Sequence, residues 1–262
     1  MKLGLMQVHP VEPSELRSLG FEAIQMFFKG NQHDDALDLA TEQIDETLKA
    51  GDSVLAAMTL HMDLVGPQGA VAADIERAVR CVAKTAALKG RFGDNEKPVL
   101  VWHPAEYPED DATDDQAVHD GLCEGLGAMC SAAEQQDVVV AVEITRPGSV
   151  GGAEAFLRIK DRVGSEALKV CIDAANFVPD RTPLKRAVRM LGPDIAIAHG
   201  KDSRFDQSGE ACHYGPIGSG VLDYQEYIGC LLEYASVPYF VLEYYQSRED
   251  LLKARDIVQQ YL

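Results

Sequence analysis

No run in this chain approaches the roughly 18 consecutive apolar residues that a membrane-spanning helix needs. The opening stretch, MKLGLMQVHP, has too short an apolar core for a secretory signal, so the expectation is a cytoplasmic protein. The six cysteines (Cys81, Cys123, Cys130, Cys171, Cys212, Cys230) form no C-x-x-C pair and no zinc-ribbon spacing. They read as reduced structural thiols. Basic clusters are missing as well. With 24 Lys and Arg against 42 Asp and Glu, the formal net charge is −18, so neither nucleic acid nor an anionic membrane is an expected partner. That charge is no obstacle to a neutral substrate or a divalent cation. No Gly-, Ser- or Pro-rich linker and no low-complexity tract divides the chain. One domain over residues 1–262 is expected.

What the chain does contain is alternation. Short apolar, β-rich runs fall at Leu3–Gln7, Glu22–Phe27, Val54–Met58, Pro98–His103, Val138–Glu143, Lys169–Asp173, Asp194–His199 and Tyr239–Glu243. Buried parallel strands read as near-continuous apolar runs, and VVVAVE, KVCID, IAIAH and YFVLE do so. Between them lie helical patterns over Asp35–Ala50, Gly69–Leu88, Asp115–Glu134, Gly152–Val163, Pro183–Leu191, Tyr224–Tyr234 and Arg248–Tyr261. The segment Pro13–Leu19 is too short for a full helix, so the first unit looks reduced. Eight β/α repeats predict an α/β protein built as a single closed (β/α)8 TIM barrel. The alternative is an open, doubly wound sheet; eight strands in about 250 residues is the number that closure requires. The acidic stretch Glu106–Asp115 reads as a solvated loop after the fourth strand.

The informative pattern is how strands four to eight end: His103, Glu143, Asp173, His199 and Glu243. Roughly one residue in five of the chain is Asp, Glu or His, so five such ends in succession is a rare coincidence. In a barrel the carboxyl ends of the strands converge on one mouth. Three carboxylates (Glu143, Asp173, Glu243) and an imidazole (His199) suit a divalent cation of intermediate hardness: Mn²⁺, Mg²⁺, Co²⁺ or Zn²⁺. Without a cation the buried carboxylates repel and their pKa values rise. The plainer alternative is that these acids cap helices or form ion pairs at the rim.

The segments VAVEIT, CIDAANF, AHGKDS, GPIGSGVLDY and FVLEYY, in that order between Val138 and Tyr245, resemble the xylose isomerase-like barrel superfamily, specifically the sugar phosphate isomerase/epimerase type. The N-terminal half agrees in strand pattern only. The resemblance implies one bound divalent metal, Mn²⁺ foremost, held by Glu143, Asp173, His199 and Glu243. It also implies that Glu143 and Glu243 act as an acid/base pair on a small sugar or keto-polyol, through an enediolate. An isomerase or epimerase of carbohydrate metabolism is therefore expected, with a homo-oligomer open. Runner-up readings are a metal-dependent dehydratase of a keto-inositol, a metal-dependent phosphoester hydrolase and a non-catalytic sugar-binding barrel. The extra histidines of the endonuclease IV branch are missing.

Three positions depart from the ketose epimerases of that family: Asn176 stands for a histidine, Gly148 for a second glutamate, and KDSR for E-x-N-R after strand seven. These fall on substrate-contact positions. Candidate substrate contacts are His103, Asn176, Lys201 and Arg204. Each has a plainer alternative: rim packing for His103, an ion pair with Asp202 or Glu243 for Lys201, and surface exposure for Arg204. Trp102 is a candidate sugar-stacking ring or a core residue. His61 and Asp63 follow strand three without a clear role.

Overall fold

The computed structural model describes residues 1–6, 10–29, 41–93, 97–104, 106–108, 112–145, 148–179 and 182–262, without the side chains of 211–213. Eight strands carry the fold: β1 (Lys2–Met6), β2 (Ala23–Phe27), β3 (Val54–His61), β4 (Val99–His103), β5 (Val139–Glu143), β6 (Leu168–Asp173), β7 (Ile195–Gly200) and β8 (Tyr239–Leu242). They close in chain order, with β8 paired to β1. The helices are α1 (Thr41–Gly51), α2 (Ala72–Ala87), α3 (Asp115–Gln136), α4 (Ala153–Val163), α5 (Leu184–Leu191), α6 (Tyr224–Tyr234) and α7 (Arg248–Gln259). This is the predicted (β/α)8 barrel. By contacts the chain groups into two compact units, 1–26 with 42–56 and 171–262, and 27–41 with 57–170. In the first, α5 packs on α6; in the second, α2 packs on α3.

Local chemistry sets the boundaries. Asp114 caps α3 by accepting from the Gln116 and Ala117 amides, and Asp223 and Ser247 cap α6 and α7 in the same way. Each such cap stabilises by about 1 kcal/mol. Helix α4 stops at Gly164, whose φ of 67° is open to glycine at little cost. The expected short first unit is two 3₁₀ turns, Pro13–Glu15 and Arg17–Leu19. Strand β3 runs on to His61, beyond the predicted Met58. Positions 7 and 35–40 of the first strand and first helix readings, and positions 109–111 of the acidic loop, lie outside the described residues.

Two small hairpins were not foreseen: Val65–Gly66 with Gly69–Ala70, and Asp202–Phe205 with Ala211–Gly215. The first is too short to show a period. The second is polar, with no alternation to betray it, and it is organised by its turn. Asp206 Oδ1 accepts from the Ser208 amide and hydroxyl and from the Glu210 amide.

Strand faces and helix stripes fill the core with Trp102, Tyr227, Tyr239, Phe21, Phe156 and Phe240, all essentially inaccessible. Trp102 belongs to this core, its indole N–H donating to the Met62 carbonyl at 2.8 Å, so the sugar-stacking reading does not apply to it. A buried phenylalanine truncated to alanine loses about 3–5 kcal/mol. Phe156→Ala should cost that much in urea unfolding followed by circular dichroism. Leu232→Ala, at a side chain 53% exposed on α6, should stay within about 0.5 kcal/mol of the parent protein.

Candidate metal centre

Strand register assembles one part of the site. Strands β7 and β8 pair His199 with Val241 and Gly200 with Leu242. One step further along, Glu243 meets Lys201, its amide donating to the Gly200 carbonyl at 3.1 Å. His199 and Lys201 are two residues apart and so share a face, as Cys171 and Asp173 do. Asp173 and His199 are wholly buried. Asp173 uses Oδ1 to cap the turn that follows it, accepting from the Ala175 amide at 2.8 Å, and its Oδ2 lies 2.9 Å from Lys201 Nζ. The same ammonium donates to Glu243 Oε1 at 2.8 Å. Of the two ion pairs expected for Lys201, the structure therefore contains the one with Glu243. Asp202 turns instead to backbone, accepting from the Ser203, Gly218 and Leu222 amides at 2.9, 3.0 and 3.1 Å.

His199 is clamped from below. Its Nε2 lies 2.9 Å from Gln25 Oε1, and Cys171 Sγ stands 3.3 Å from Nε2 and 3.5 Å from Nδ1. Its Nδ1 faces Glu243 Oε2 at 3.2 Å. A proton on Nδ1 or a cation between the two atoms satisfies that approach. Burial pushes the Glu243 carboxyl up, but the Lys201 ammonium and the His199 ring outweigh it and hold the group well below the usual carboxylate range.

Helix α6 fixes the backbone around these residues. Tyr227 Oη donates to the Ile172 and His199 carbonyls at 3.1 and 3.3 Å, and Tyr224 Oη donates to the Lys201 carbonyl. Burial drives both phenols well above their ordinary pKa, so they remain hydrogen-bond donors.

In the other compact unit, His103 ends β4 with its ring against that of His61, centroids 4.2 Å apart. His103 Nε2 lies 3.9 Å from Glu143 Oε1, and Glu143 is buried. Burial, and then the neighbouring His103, push His61 below the ordinary imidazole pKa. Within the first unit, Asp173, His199 and Glu243 each offer one ligand atom, all within 4.8 Å of one another. These donors are hard oxygens and one imidazole, and they fit a divalent cation.

The remaining candidates spread out. Asn176 is buried in the turn after Asp173, and Arg204 is exposed on the 202–205 hairpin strand. Sequence reasoning missed Gln25 and Cys171 and left His61 unassigned. For Cys171 the strand period carried a signal, since it lies two residues before Asp173; for Gln25 only the pairing of Met6 with Gln25 across β1 and β2 reveals its level.

A family model described as xylose isomerase-like TIM barrel matches residues 13–261. None of the curated proteins matches in sequence. Solved structures share the fold at low identity. D-allulose 3-epimerase from Methylomonas sp., in complex with D-allulose, is 12% identical with a TM-score of 0.76, over 100% of this chain and 97% of that one. The probable 3-DHS dehydratase AsbF from Bacillus anthracis is 15% identical with a TM-score of 0.73, over 99% and 98% of the two chains. A xylose isomerase-like TIM barrel protein from Mycobacterium smegmatis, in complex with magnesium, is 17% identical with a TM-score of 0.68, over 95% and 86%.

Partners that orient a ligating histidine are commonly worth 10–100-fold in metal affinity. Gln25→Leu frees the His199 ring by removing the polar partner of its Nε2. Mn²⁺ binding to the variant, measured by calorimetry, should weaken by about 10–100-fold, with the circular dichroism of the fold retained.

Proposed function

This chain belongs to the xylose isomerase-like TIM barrel family, and we propose on that footing that it is a divalent-metal-dependent isomerase or epimerase of a small sugar or keto-polyol. The observation that carries the reading is the gathering of Asp173, His199 and Glu243, with Glu243 Oε2 3.2 Å from His199 Nδ1. A polar group left buried without a partner costs free energy, and a cation removes that cost. Asp173 and His199 would hold the ion together with Glu143 and Glu243. Three carboxylates and one imidazole favour Mn²⁺, with Mg²⁺, Co²⁺ and Zn²⁺ as other fitting ions. When bound, such an ion supplies Lewis acidity to a carbonyl oxygen and the hydroxyl oxygen next to it.

The chain's own groups do the proton work. One of the pair Glu143 and Glu243 takes the proton from the carbon beside the carbonyl. The other returns a proton to the opposite face, which epimerises that carbon; return at the neighbouring carbon isomerises the substrate. Burial of Glu143 keeps water away from the exchanged proton there. His103 presents a buried Nδ1 without a hydrogen-bond partner among the described residues, a site for a substrate hydroxyl. Asn176, Lys201 and Arg204 complete the proposed substrate contacts. The similarity to D-allulose 3-epimerase supports this reading as a likeness of fold.

Gly148 favours a second reading, because it offers no carboxylate where the family's ketose epimerases carry one. A dehydratase would use the same cluster and expel a β-hydroxyl, and the fold is shared with a probable 3-DHS dehydratase.

A panel of ketoses and keto-inositols in D₂O tests both readings. We expect deuterium at the carbon next to the carbonyl, loss of exchange on chelation and recovery with Mn²⁺. Glu143→Gln and Glu243→Gln should each lower kcat by about 10²–10⁴-fold, the usual weight of a positioned general acid or base. Full turnover by Glu243→Gln would refute the proton-transfer assignment, and an ultraviolet-absorbing enone product would establish the dehydratase instead.

A further inference from the structure

Lys201 stands within the acidic group rather than beside it. Its ammonium is 2.9 Å from Asp173 Oδ2 and 2.8 Å from Glu243 Oε1, with 7% of the side chain exposed. The backbone around it is pinned. Tyr224 holds the Lys201 carbonyl, and the next residue, Asp202, is tied to the Ser203, Gly218 and Leu222 amides. A β-carbon on Gly220 would collide with Asp202 Oδ1 and the Ser203 carbonyl, so the loop closes tightly on this point. Any freedom at position 201 therefore lies in its four-carbon stem. A further seat lies within reach of that stem: the exposed ring of Tyr214, whose centroid is already 4.6 Å from Nζ. A ring face attracts an ammonium.

An ammonium and a metal ion make incompatible claims on the same oxygens. The lysine occupies them at hydrogen-bond distance, whereas a divalent cation ligates oxygen at about 2.0–2.6 Å and excludes a second cation from contact. We propose that Lys201 is a built-in counter-ion that joins Asp173 to Glu243 while the site holds no metal, competes with the divalent cation for them, and swings toward Tyr214 when the ion loads. The inference rests on the metal reading above. It differs from a static ion pair, in which the lysine would keep its place and assist loading by holding the carboxylates in position.

The test compares metal-stripped parent protein with Lys201→Met, which keeps the stem and removes the charge. Mn²⁺ alone is titrated in, with binding read by calorimetry and unfolding by temperature. Removing a positive charge a few ångströms from the ion should tighten Mn²⁺ binding by about tenfold or more. The stripped variant should melt below the parent, and Mn²⁺ should raise its Tm by more than it raises the parent's. A measurement on the parent needs no variant: acylation of the Lys201 amine, followed by mass spectrometry, should accelerate on loading with Mg²⁺. It decides the question if stripped Lys201→Met fails to fold. Equal or weaker Mn²⁺ binding by the variant overturns the competition and leaves the metal reading standing. If neither protein binds Mn²⁺, both readings fall.

Discussion

Buried negative charge must be matched by positive charge within a few ångströms, and the strand ends of this barrel are arranged around that requirement. Asp173 and Glu143 are almost inaccessible. Removing carboxylates from water without a partner costs several kcal/mol each. The first answer built into the chain is the Lys201 ammonium between Asp173 and Glu243. The second is His199, whose Nδ1 faces the remaining Glu243 oxygen. Much of the surrounding structure holds these groups still. Gln25 fixes the imidazole, Tyr224 and Tyr227 fix the carbonyls of the strand ends, and Asp202 ties the loop behind them. The aromatic rings of Tyr224, Tyr227 and Phe240 stack edge to face under this layer, with centroids 5.7 to 6.2 Å apart. The polar layer thus rests on a rigid apolar one, which is what preorganisation of a charged site requires.

The barrel was legible because its information is periodic. KVCID and IAIAH are fully apolar apart from their ends, as parallel strands covered by helices must be, and the residue that breaks each run is the one that reaches the mouth. Asp173, His199 and Glu243 could be named for that reason. The partners of those residues were not legible in the same way. Gln25 lies 174 positions from His199, and nothing in its neighbourhood distinguishes it from a polar residue in a half-exposed strand. Only closure of the sheet, which places β2 and β7 in one barrel, gives it meaning. The 202–215 hairpin escaped notice because Asp202, Ser203 and Arg204 show no alternation; its pairing is written in the Asp206–Gly209 turn instead.

Lys201 shows why residue type alone underdetermines role. At the sequence level its alternatives were a substrate contact and an ion pair, and the structure places it where both remain physically meaningful. In a rim position a lysine paired with a glutamate contributes little, because water screens the pair. At Lys201 the screening is lost and the geometry is fixed by strand register, so the pair couples directly to whatever else seeks those oxygens. The one positive charge of Lys201 compensates part of the negative charge of Asp173 and Glu243.

The proposed competition between lysine and metal would be a form of the general conflict between stability and activity in enzymes. A cluster of acids arranged only for metal would carry uncompensated repulsion whenever the metal was absent, during folding above all. Arranged only for stability, it would be closed by ion pairs and inert. A lysine on a flexible stem satisfies the first demand without meeting the second permanently, since its hold on each oxygen is a hydrogen bond and not a coordinate bond. Arginine would serve less well: its planar fork binds carboxylates in two places at once and would yield them less readily. A point charge on a flexible stem is what holds Asp173 and Glu243 together here by hydrogen bonds alone.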